Sequence, residues 1–371
     1  MEENQKEVIL LQLKNLVSLL RRGIFQTSSV LCEPDWNMIY RLAKRLWLLG
    51  AVADAVRETD CPDEVKLAFE KQGMRILRRQ MLFDDARRQI FEEFEREGLS
   101  YLPLKGNLFC DLYPKYGMRE FSDNDIFVTP FDKEKIDRIF ASLGYEISHK
   151  NMVDVGYEKP PVLYFEIHQT LFSDDYANLT YFSDFFSRAI RVDRDRNEYR
   201  MTDEDAYLYA IAHMYKHDRS GTSLRSYLDI YLLYRSMEGK YDRAYVNEIL
   251  IRMGLSDFEA KTIDLCERLF SGESCTAADS ELDRIGSCGA YGSIEESVRK
   301  GIQEDGKTYL WKKVFPSYRF VANQHVSLKR FPFLYPFYLI ARPFCILFNK
   351  KRRIHAIKKM TVYRTEKKKE K

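Results

Sequence analysis

Three acidic residues in two short apolar segments have the types and spacing for chemistry at a phosphate group. Asp123 and Asp125 open one apolar run, and Glu166 lies within another. Because strand side chains alternate between faces, the two aspartates share one face, and Glu166 could approach them from a neighbouring strand. Carboxylate oxygens bind Mg²⁺ or Mn²⁺, which hold substrate phosphates. We predict that these residues are the metal ligands and catalytic groups. Solvated carboxylates at a strand mouth are the plainer alternative, since short acidic motifs are common.

Two strands and a tight turn are needed to position these carboxylates. The run 102–104 predicts a strand that ends in a turn at Lys105-Gly106, followed by a short helix from Asn107. The runs 126–128 and 162–168 predict two further strands. Asn124 would face away from the aspartates, and we expect an apolar residue to be tolerated there.

Two cations lie close to this acidic segment in the sequence. Lys105 occupies the predicted turn, and Arg119 lies four residues before Asp123. The oxygens of a triphosphate need donors beyond metal ions, and Lys and Arg side chains supply them. The alternative is that both are ordinary surface residues.

These segments resemble the nucleotidyltransferase superfamily of the DNA polymerase β type, and within it a bacterial family of uncharacterised nucleotidyltransferases. The resemblance covers most of the chain. It is carried by segments that match the patterns L-K-G, L-Y-P, R-x-x-x-D-x-D and acidic-h-H, namely Leu104-Lys105-Gly106, Leu112-Tyr113-Pro114, Arg119 with Asp123-Asn124-Asp125, and Glu166-Ile167-His168. Asn107 stands where the superfamily has a small Gly or Ser, and Asn124 stands where an apolar residue is usual.

The resemblance implies an enzyme that moves a nucleoside monophosphate from a nucleoside triphosphate, with ATP expected, to an acceptor and releases pyrophosphate. Mg²⁺ or Mn²⁺ would be held by Asp123, Asp125 and Glu166. The residues that would contact the nucleotide are Lys105, Gly106, Asn107, Arg119, His168 and Arg225. Nothing in the sequence identifies the acceptor. The alternatives are a catalytically inactive binding or scaffold protein with this fold, and a membrane-peripheral protein of surface-glycan synthesis.

A histidine pair forms a second candidate group. His213 and His217 are four residues apart and would share a helix face. They lack the Glu of the H-E-x-x-H zinc motif, so a zinc site is not favoured. With Arg225 and Asp229 they resemble a family segment that would line one wall of the cleft. The alternative is a buried network in which Arg225 pairs with Asp229, one helical turn away.

Composition and charge limit the classes of protein to consider. The 371 residues are 45% hydrophobic and 31% charged, as in a soluble globular protein. The net charge is +3, but residues 349–371 contain eleven Lys or Arg and two Glu, so the remaining chain carries −6. There is therefore no strong signal for nucleic-acid binding. Seven scattered cysteines and the acidic first residues favour a cytoplasmic protein.

The expected fold class is α+β, with a small mixed β-sheet core flanked by N-terminal and C-terminal helical regions. Residues 1–100 are predicted to be a helical support without candidate chemistry, and residues 101–200 the nucleotidyltransferase α/β core. Residues 201–348 are predicted to form a helical domain, and residues 349–371 a disordered basic tail. Within the first segment, Asp35 should cap a helix over 36–58, and Pro62 should open one that ends near residue 97.

The segment 331–353 combines aromatic and aliphatic residues with a basic cluster. Three prolines and Arg342 make its apolar part, 331–348, a poor membrane-spanning helix. Peripheral contact of 331–353 with a membrane or an acidic partner is one interpretation. The plainer interpretation, which we prefer, is a closing helix packed on the domain.

Overall fold

A mixed five-stranded sheet lies between two helical regions of the chain, which confirms the predicted α+β class. The computed structural model describes residues 2–27, 30–120, 122–173, 176–218, 220–271, 278–289, 292–324, 326–348 and 350–369. Numbered β1 to β7 in chain order, the strands are Ser100–Pro103, Asn124–Thr129, Glu146–Lys150, Asp154–Lys159, Leu163–His168, Ile190–Arg191 and Tyr199–Arg200.

The strand order of the sheet is β1-β2-β5-β4-β3. The β2–β5 pair is parallel, and the other three pairs are antiparallel. β6 and β7 form a separate two-stranded ribbon. The parallel pair at the centre joins the two strands that carry the predicted carboxylates.

Helices make up most of the rest of the described chain. Numbered α1 to α17 in chain order, they are Glu2–Phe25, Trp36–Leu46, Leu49–Arg57, Asp63–Arg96, Gly106–Cys110, Lys133–Ser142, Asp203–Asp218, Leu224–Ser236, Arg243–Met253, Ser256–Phe270, Asp279–Ser287, Ile294–Asp305, Tyr309–Val314, Tyr318–Gln324, Val326–Arg330, Tyr335–Phe348 and Lys350–Lys369. Short 3-10 helices cover Ala177–Arg188, Gly306–Thr308 and Pro332–Leu334.

The N-terminal region contains one more helix than the sequence predicted. Asp35 caps α2 as expected, since its side chain accepts from the Met38 N–H at 2.9 Å. The single helix expected over 36–58 is wrong, because Trp47 adopts the left-handed conformation (φ 58°, ψ 50°) and ends α2. The long helix expected after Pro62 is confirmed as α4.

The two faces of the sheet pack against different elements. The back face carries apolar side chains that pack on α4 and α6, among them Tyr101, Ile126, Val128, Phe165 and Ile167. On the front face, Leu102, Leu104 and Phe127 join the larger core formed by the N-terminal and C-terminal helices. The alternation of β2 therefore sends Ile126 to the back and Phe127 to the front, and Asp125 shares the front face.

The segment 349–371 was expected to be a disordered tail, and the structure describes residues 350–369 of it; residues 349, 370 and 371 lie outside the described residues. Residues 350–369 form α17, and Val362 and Tyr363 pack against a small core of Val298, Ile302 and Tyr309. The rings of Tyr309 and Tyr363 stack with their centroids 5.8 Å apart. These apolar contacts give the basic segment a surface to pack on, which its composition alone does not reveal. Among the described residues, no helix has the length and apolar content needed to cross a membrane.

Candidate active site

The candidate site forms where the end of β1 meets the start of β2 and the second half of β5. The Leu104 N–H donates to the Asp125 carbonyl oxygen at 2.8 Å, which extends the β1–β2 ladder and brings Lys105 beside Asp125. In the parallel β2–β5 pair, Asp125 lies opposite Glu166. The sheet register therefore places the two carboxylates on one face, and the turn after β1 brings the lysine to them.

Lys105 lies between the carboxylates as their counter-charge. Its Nζ is 2.5 Å from Asp125 Oδ1 and 3.4 Å from Glu166 Oε2. The backbone of Lys105 has φ 41° and ψ −108°, a conformation that non-glycine residues rarely adopt. The predicted turn is present, and its strained residue is the one that carries the cation.

His168 supports Asp125 from within the sheet. Its Nε2 is 3.0 Å from Asp125 Oδ1, and the histidine is buried. Its Nδ1 is buried and has no hydrogen-bond partner among the described residues. Candidate ligand atoms of Asp125, Glu166 and His168 all lie within 4.8 Å of one another, and Asp123 is outside this group. Asp123 precedes the first residue of β2, so sheet hydrogen bonds do not fix its position.

The three carboxylates have pKa values shifted in different directions, because their neighbours differ. Burial alone would raise the pKa of Asp125, but Lys105 and His168 outweigh it and hold that pKa below its ordinary range. Burial, with the negative charge of Asp125, raises the pKa of Glu166 to about 8. Burial and Asp125 also raise the pKa of Asp123. Desolvation works against the Lys105 ammonium, yet the three carboxylates keep its pKa well above the usual value.

A cavity of about 280 Å³ opens in front of this cluster. Seven of the predicted site residues line it, namely Lys105, Gly106, Arg119, Asp123, Asp125, Glu166 and Arg225. Two of the predicted residues, Asn107 and His168, do not line it. The opposite wall comes from α7, α8 and the turn between them, and it includes Tyr209, His213, His217 and Ser223. The sheet and the C-terminal helices thus share one cleft, to which each contributes charged or polar groups.

Arg119 pairs with Asp229, the carboxylate that the sequence analysis assigned to Arg225. Its Nε and Nη2 donate to the two carboxylate oxygens of Asp229, at 2.9 and 2.8 Å. The Tyr113 hydroxyl donates to the same carboxylate at 2.8 Å. The pair is buried, and Nη1 of Arg119 is a buried donor without a partner among the described residues. Arg119 is therefore a fixed cation with one donor left over.

The expected Arg225–Asp229 pair is replaced by this arrangement. Asp229 is bound by Arg119, whereas Arg225 Nη1 donates to the carbonyl oxygen of Glu120 at 2.7 Å. The guanidinium of Arg225 also lies 5.3 Å from the ring centroid of Trp47, and its Nε is buried without a partner among the described residues. Bidentate geometry from a neighbouring segment outcompetes a contact along one helix.

The two histidines lie on the cavity wall, as the family resemblance implied. Their ring centroids are 4.6 Å apart on α7, and both line the cavity. Burial, with the nearby His217 and Lys105, lowers the pKa of His213 well below its ordinary value. Its Nε2 is buried and without a hydrogen-bond partner among the described residues. No metal cluster of the described residues includes either histidine.

Arg87 of α4 is a site residue that the sequence analysis missed. Its Nη1 donates to Asn124 Oδ1 at 3.0 Å and also to Asn107 Oδ1, while its Nη2 donates to Asp84 Oδ1 at 2.7 Å. Asn124 is completely buried on the back face. The two asparagines that depart from the superfamily pattern are thus bridged by one guanidinium. A buried asparagine needs hydrogen-bond partners, and two in one motif could have prompted a search for a shared donor.

Trp47 is the second residue that the sequence analysis missed. Its ring lies 5.7 Å from the guanidinium of Arg79 and 5.3 Å from that of Arg225. The left-handed end of α2 directs this indole toward the cation that lines the cavity. The N-terminal region, expected to be a plain support, therefore contacts the site through both Trp47 and Arg87.

Comparison with known proteins gives a family and distant structural similarities. The pattern of a family described as uncharacterised nucleotidyltransferase matches residues 33–271. A solution structure of the antibiotic-resistance factor ANT(2'')-Ia is similar, at 9% identity and TM-score 0.34, over 48% of this chain and 92% of that one.

Two further structures show similarity at the same distance. The crystal structure of ANT(2'')-Ia in complex with adenylyl-2''-tobramycin has 10% identity and TM-score 0.34, over 48% of this chain and 97% of that one. An antigenic nucleotidyltransferase-like protein from Paracoccidioides brasiliensis has 14% identity and TM-score 0.30, over 50% of this chain and 91% of that one. A search of the curated proteins found no match.

Proposed function

Because this chain belongs to the uncharacterised nucleotidyltransferase family, we propose that it transfers a nucleoside monophosphate from a nucleoside triphosphate to an acceptor. The observation that carries the proposal is the pairing of Asp125 with Glu166 on adjacent strands at the floor of a cavity rimmed by cations. ATP is the expected nucleotide, and the acceptor is a group with a nucleophilic oxygen.

The donor set at the cavity floor fits a divalent metal ion. Asp125 and Glu166 present carboxylate oxygens close together, and Asp123 lines the same cavity. Hard oxygen ligands of this kind suit Mg²⁺ or Mn²⁺. Asp125 and Glu166 would hold the ion, with Asp123 as the third carboxylate. When bound, the metal neutralises charge on the triphosphate and polarises its phosphorus.

The cations around the cavity suit the phosphates of the nucleotide. Arg119 Nη1 and Arg225 Nε are buried donors that lack partners among the described residues, and both side chains line the cavity. A buried donor without an acceptor is unfavourable, so phosphate oxygens would complete both groups. Lys105 is the third donor, and it would turn from the carboxylates to the phosphates when the nucleotide enters.

The proposed reaction is a displacement at the α-phosphorus. The acceptor oxygen forms a bond to that phosphorus, and the bond from phosphorus to the bridging oxygen of pyrophosphate breaks. Glu166 takes the proton of the acceptor hydroxyl, and Lys105, Arg119 and Arg225 stabilise the negative charge on the departing pyrophosphate. The chain's own residues thus orient the nucleotide and hold both the proton and the charge.

The test is a Mg²⁺ titration of ATP binding to the full chain, followed by measurement of pyrophosphate release with a set of hydroxyl acceptors. We expect metal-dependent binding that Asp125→Asn weakens and Asp195→Asn does not. Asp195 is an exposed aspartate in the turn between β6 and β7, outside the cavity lining. ATP binding that ignores both Mg²⁺ and Asp125 would contradict the proposal. Metal-dependent binding without pyrophosphate release from any acceptor would favour the inactive binding protein.

A further inference from the structure

The exposed face of the C-terminal helix α16, together with the 3-10 turn before it, is entirely apolar. Exposed positions recur at helical spacing from 333 to 348, and they are Phe333, Pro336, Phe337, Ile340, Ala341, Phe344, Cys345 and Phe348. Phe333, Phe337 and Ile340 are each 67% exposed. We call these eight residues the apolar stripe. A surface helix of a globular protein normally turns such a face toward the core.

The opposite face of α16 is held by the protein. The Tyr335 hydroxyl donates to the Pro316 carbonyl oxygen at 2.7 Å, and its ring meets that of Tyr318 edge to face at a centroid distance of 5.5 Å. Arg342 is the only charged residue between Tyr335 and Phe348, and it is half-buried on this inner side. The helix is therefore oriented with its single charge inward and its apolar stripe outward.

Positive charge follows the apolar stripe directly. Residues 349–371 carry a net charge of +9. On α17, Lys358 and Arg364 are exposed, and so are the apolar side chains of Ile354 and Ile357. The stripe and α17 together combine an apolar surface with an adjacent cationic one, which is the composition that binds an anionic bilayer surface.

We propose that the apolar stripe docks this protein on an anionic lipid surface, with α16 in the plane of the interface. The fourteen residues of α16 span roughly 21 Å at 1.5 Å per residue, less than the ~30 Å hydrocarbon core of a bilayer. The aromatic side chains enter the boundary between headgroups and acyl chains, and α17 contacts the acidic headgroups.

The charge of the C-terminal segment favours an anionic lipid surface over a second copy of the chain as the partner of the stripe. A symmetric dimer built on the stripe would bring two segments of charge +9 together, and like charges oppose such an interface. The stripe also lies outside residues 33–271, which match the family. The proposal therefore does not depend on the transfer activity, and either can fail without the other.

The test is co-sedimentation of the full chain with phosphatidylcholine vesicles that contain or lack phosphatidylserine. We expect binding to the phosphatidylserine vesicles and at least tenfold weaker binding to phosphatidylcholine alone. Ile340→Ser removes an exposed isoleucine of the stripe, and Ile251→Ser is its matched control, since Ile251 is 70% exposed on α9. We expect Ile340→Ser to weaken binding about tenfold and Ile251→Ser to leave it unchanged.

Three results would overturn the proposal. The first is an absence of vesicle binding by the wild-type chain. The second is equal binding by the Ile340→Ser and Ile251→Ser variants. The third is a dimer in solution that Ile340→Ser converts to a monomer, which would assign the stripe to a contact between copies. Replacing Lys358 with Glu should weaken binding to phosphatidylserine vesicles and should have no effect on the oligomeric state.

Discussion

The two faces of the β2–β5 pair have different chemistry, although consecutive residues of β2 supply them. On the front face, Asp125 and Glu166 lie opposite each other, and a single ammonium lies between them. On the back face, Asn124 is opposite Phe165 and accepts from Arg87, which also bridges to Asn107. The front holds like charges, and the donors Arg119 Nη1 and Arg225 Nε near it have no partner in the described part of the chain. The back of this strand pair is apolar except for the bridge through Asn124.

This difference separates groups that react from groups that hold them in place. Like charges held together destabilise the folded chain until a ligand neutralises them, so the front face is arranged for binding. A guanidinium shared by two asparagines stabilises the folded chain and fixes the turn that carries Lys105. We therefore expect front-face substitutions to affect activity most, and back-face substitutions to affect stability and activity together.

The largest effect is expected from Asp125→Asn on the front face. This change removes the carboxylate nearest to Lys105 and His168, so metal-dependent transfer should fall at least about a hundredfold. It also leaves Lys105 with Glu166 as the nearest carboxylate, so the free energy of unfolding should fall by about 1–3 kcal/mol. Activity assays and denaturant unfolding give the two numbers.

Glu166→Gln provides the comparison for that result. Its oxygen is 3.4 Å from Lys105 and its neighbour is the negative Asp125, so the amide should change the free energy of unfolding by less than about 1 kcal/mol while abolishing metal dependence. Equal losses of stability in both variants would mean that Lys105 does not prefer Asp125.

The next effect comes from the back face. Arg87→Met keeps the length of the side chain but leaves Asn107 and Asn124 without their shared donor, so the free energy of unfolding should fall by about 1–3 kcal/mol. The turn at Lys105 then loosens, and kcat should fall about tenfold with little change in KM. Arg88→Met is the matched control, because Arg88 pairs with Asp85 and Glu92 on the exposed side of α4. A matching loss of kcat in that control would remove Arg87 from the site.

A smaller effect is expected from the hydrogen bond between Arg87 and Asn124. The expectation that Asn124 tolerates an apolar residue changes, because this buried side chain accepts from Arg87 at 3.0 Å. Asn124→Leu alone should destabilise the chain by about 1–2 kcal/mol, and it should add little in the Arg87→Met background. Additive losses in a double-mutant cycle would show that the two residues act independently.

The smallest effect is a pH dependence from the wall opposite the front face. Burial lowers the pKa of His213 well below its ordinary value of 6.5, so the stability it contributes is complete above pH 6.5 and is lost as the pH falls below that value. Lys105, Lys216 and His217 oppose its protonation as well. Between pH 7 and pH 5, the Tm of His213→Gln should drop less than that of wild type, by at least about 2 °C. Parallel Tm curves would contradict a buried neutral His213.

The sequence predicted the front face better than the back. Strand alternation gives each of Asp125 and Glu166 its face of the sheet, and the pairing of their two strands then brings the carboxylates together. Arg87 could not be predicted in the same way, because no strand pattern describes the contacts of a helix side chain with Asn107 and Asn124. Such pairings depend on how a long helix packs on the sheet.

The remaining differences have the same physical origin. Arg225 was expected to pair with Asp229 one turn along α8, but Arg119, which is 110 residues away in the sequence, makes a bidentate contact with Asp229 instead. Trp47 ends a helix in a left-handed conformation, and the sequence does not predict this because glycine is the residue that usually occupies such a position. The segment expected to be a disordered tail packs through Val362 and Tyr363, two apolar residues in a strongly basic run.

The position of Trp47 makes its intrinsic fluorescence a reporter of the site. The chain has three tryptophans, Trp36, Trp47 and Trp311. Within the described residues, Trp47 is the one whose indole lies beside a cation that lines the cavity. Withdrawal of the Arg225 guanidinium toward a bound phosphate would change the electric field at this indole, and with it the emission wavelength of the ring. Nucleotide entry could then be followed in real time on the unlabelled chain, with Trp47→Phe as the spectroscopic blank.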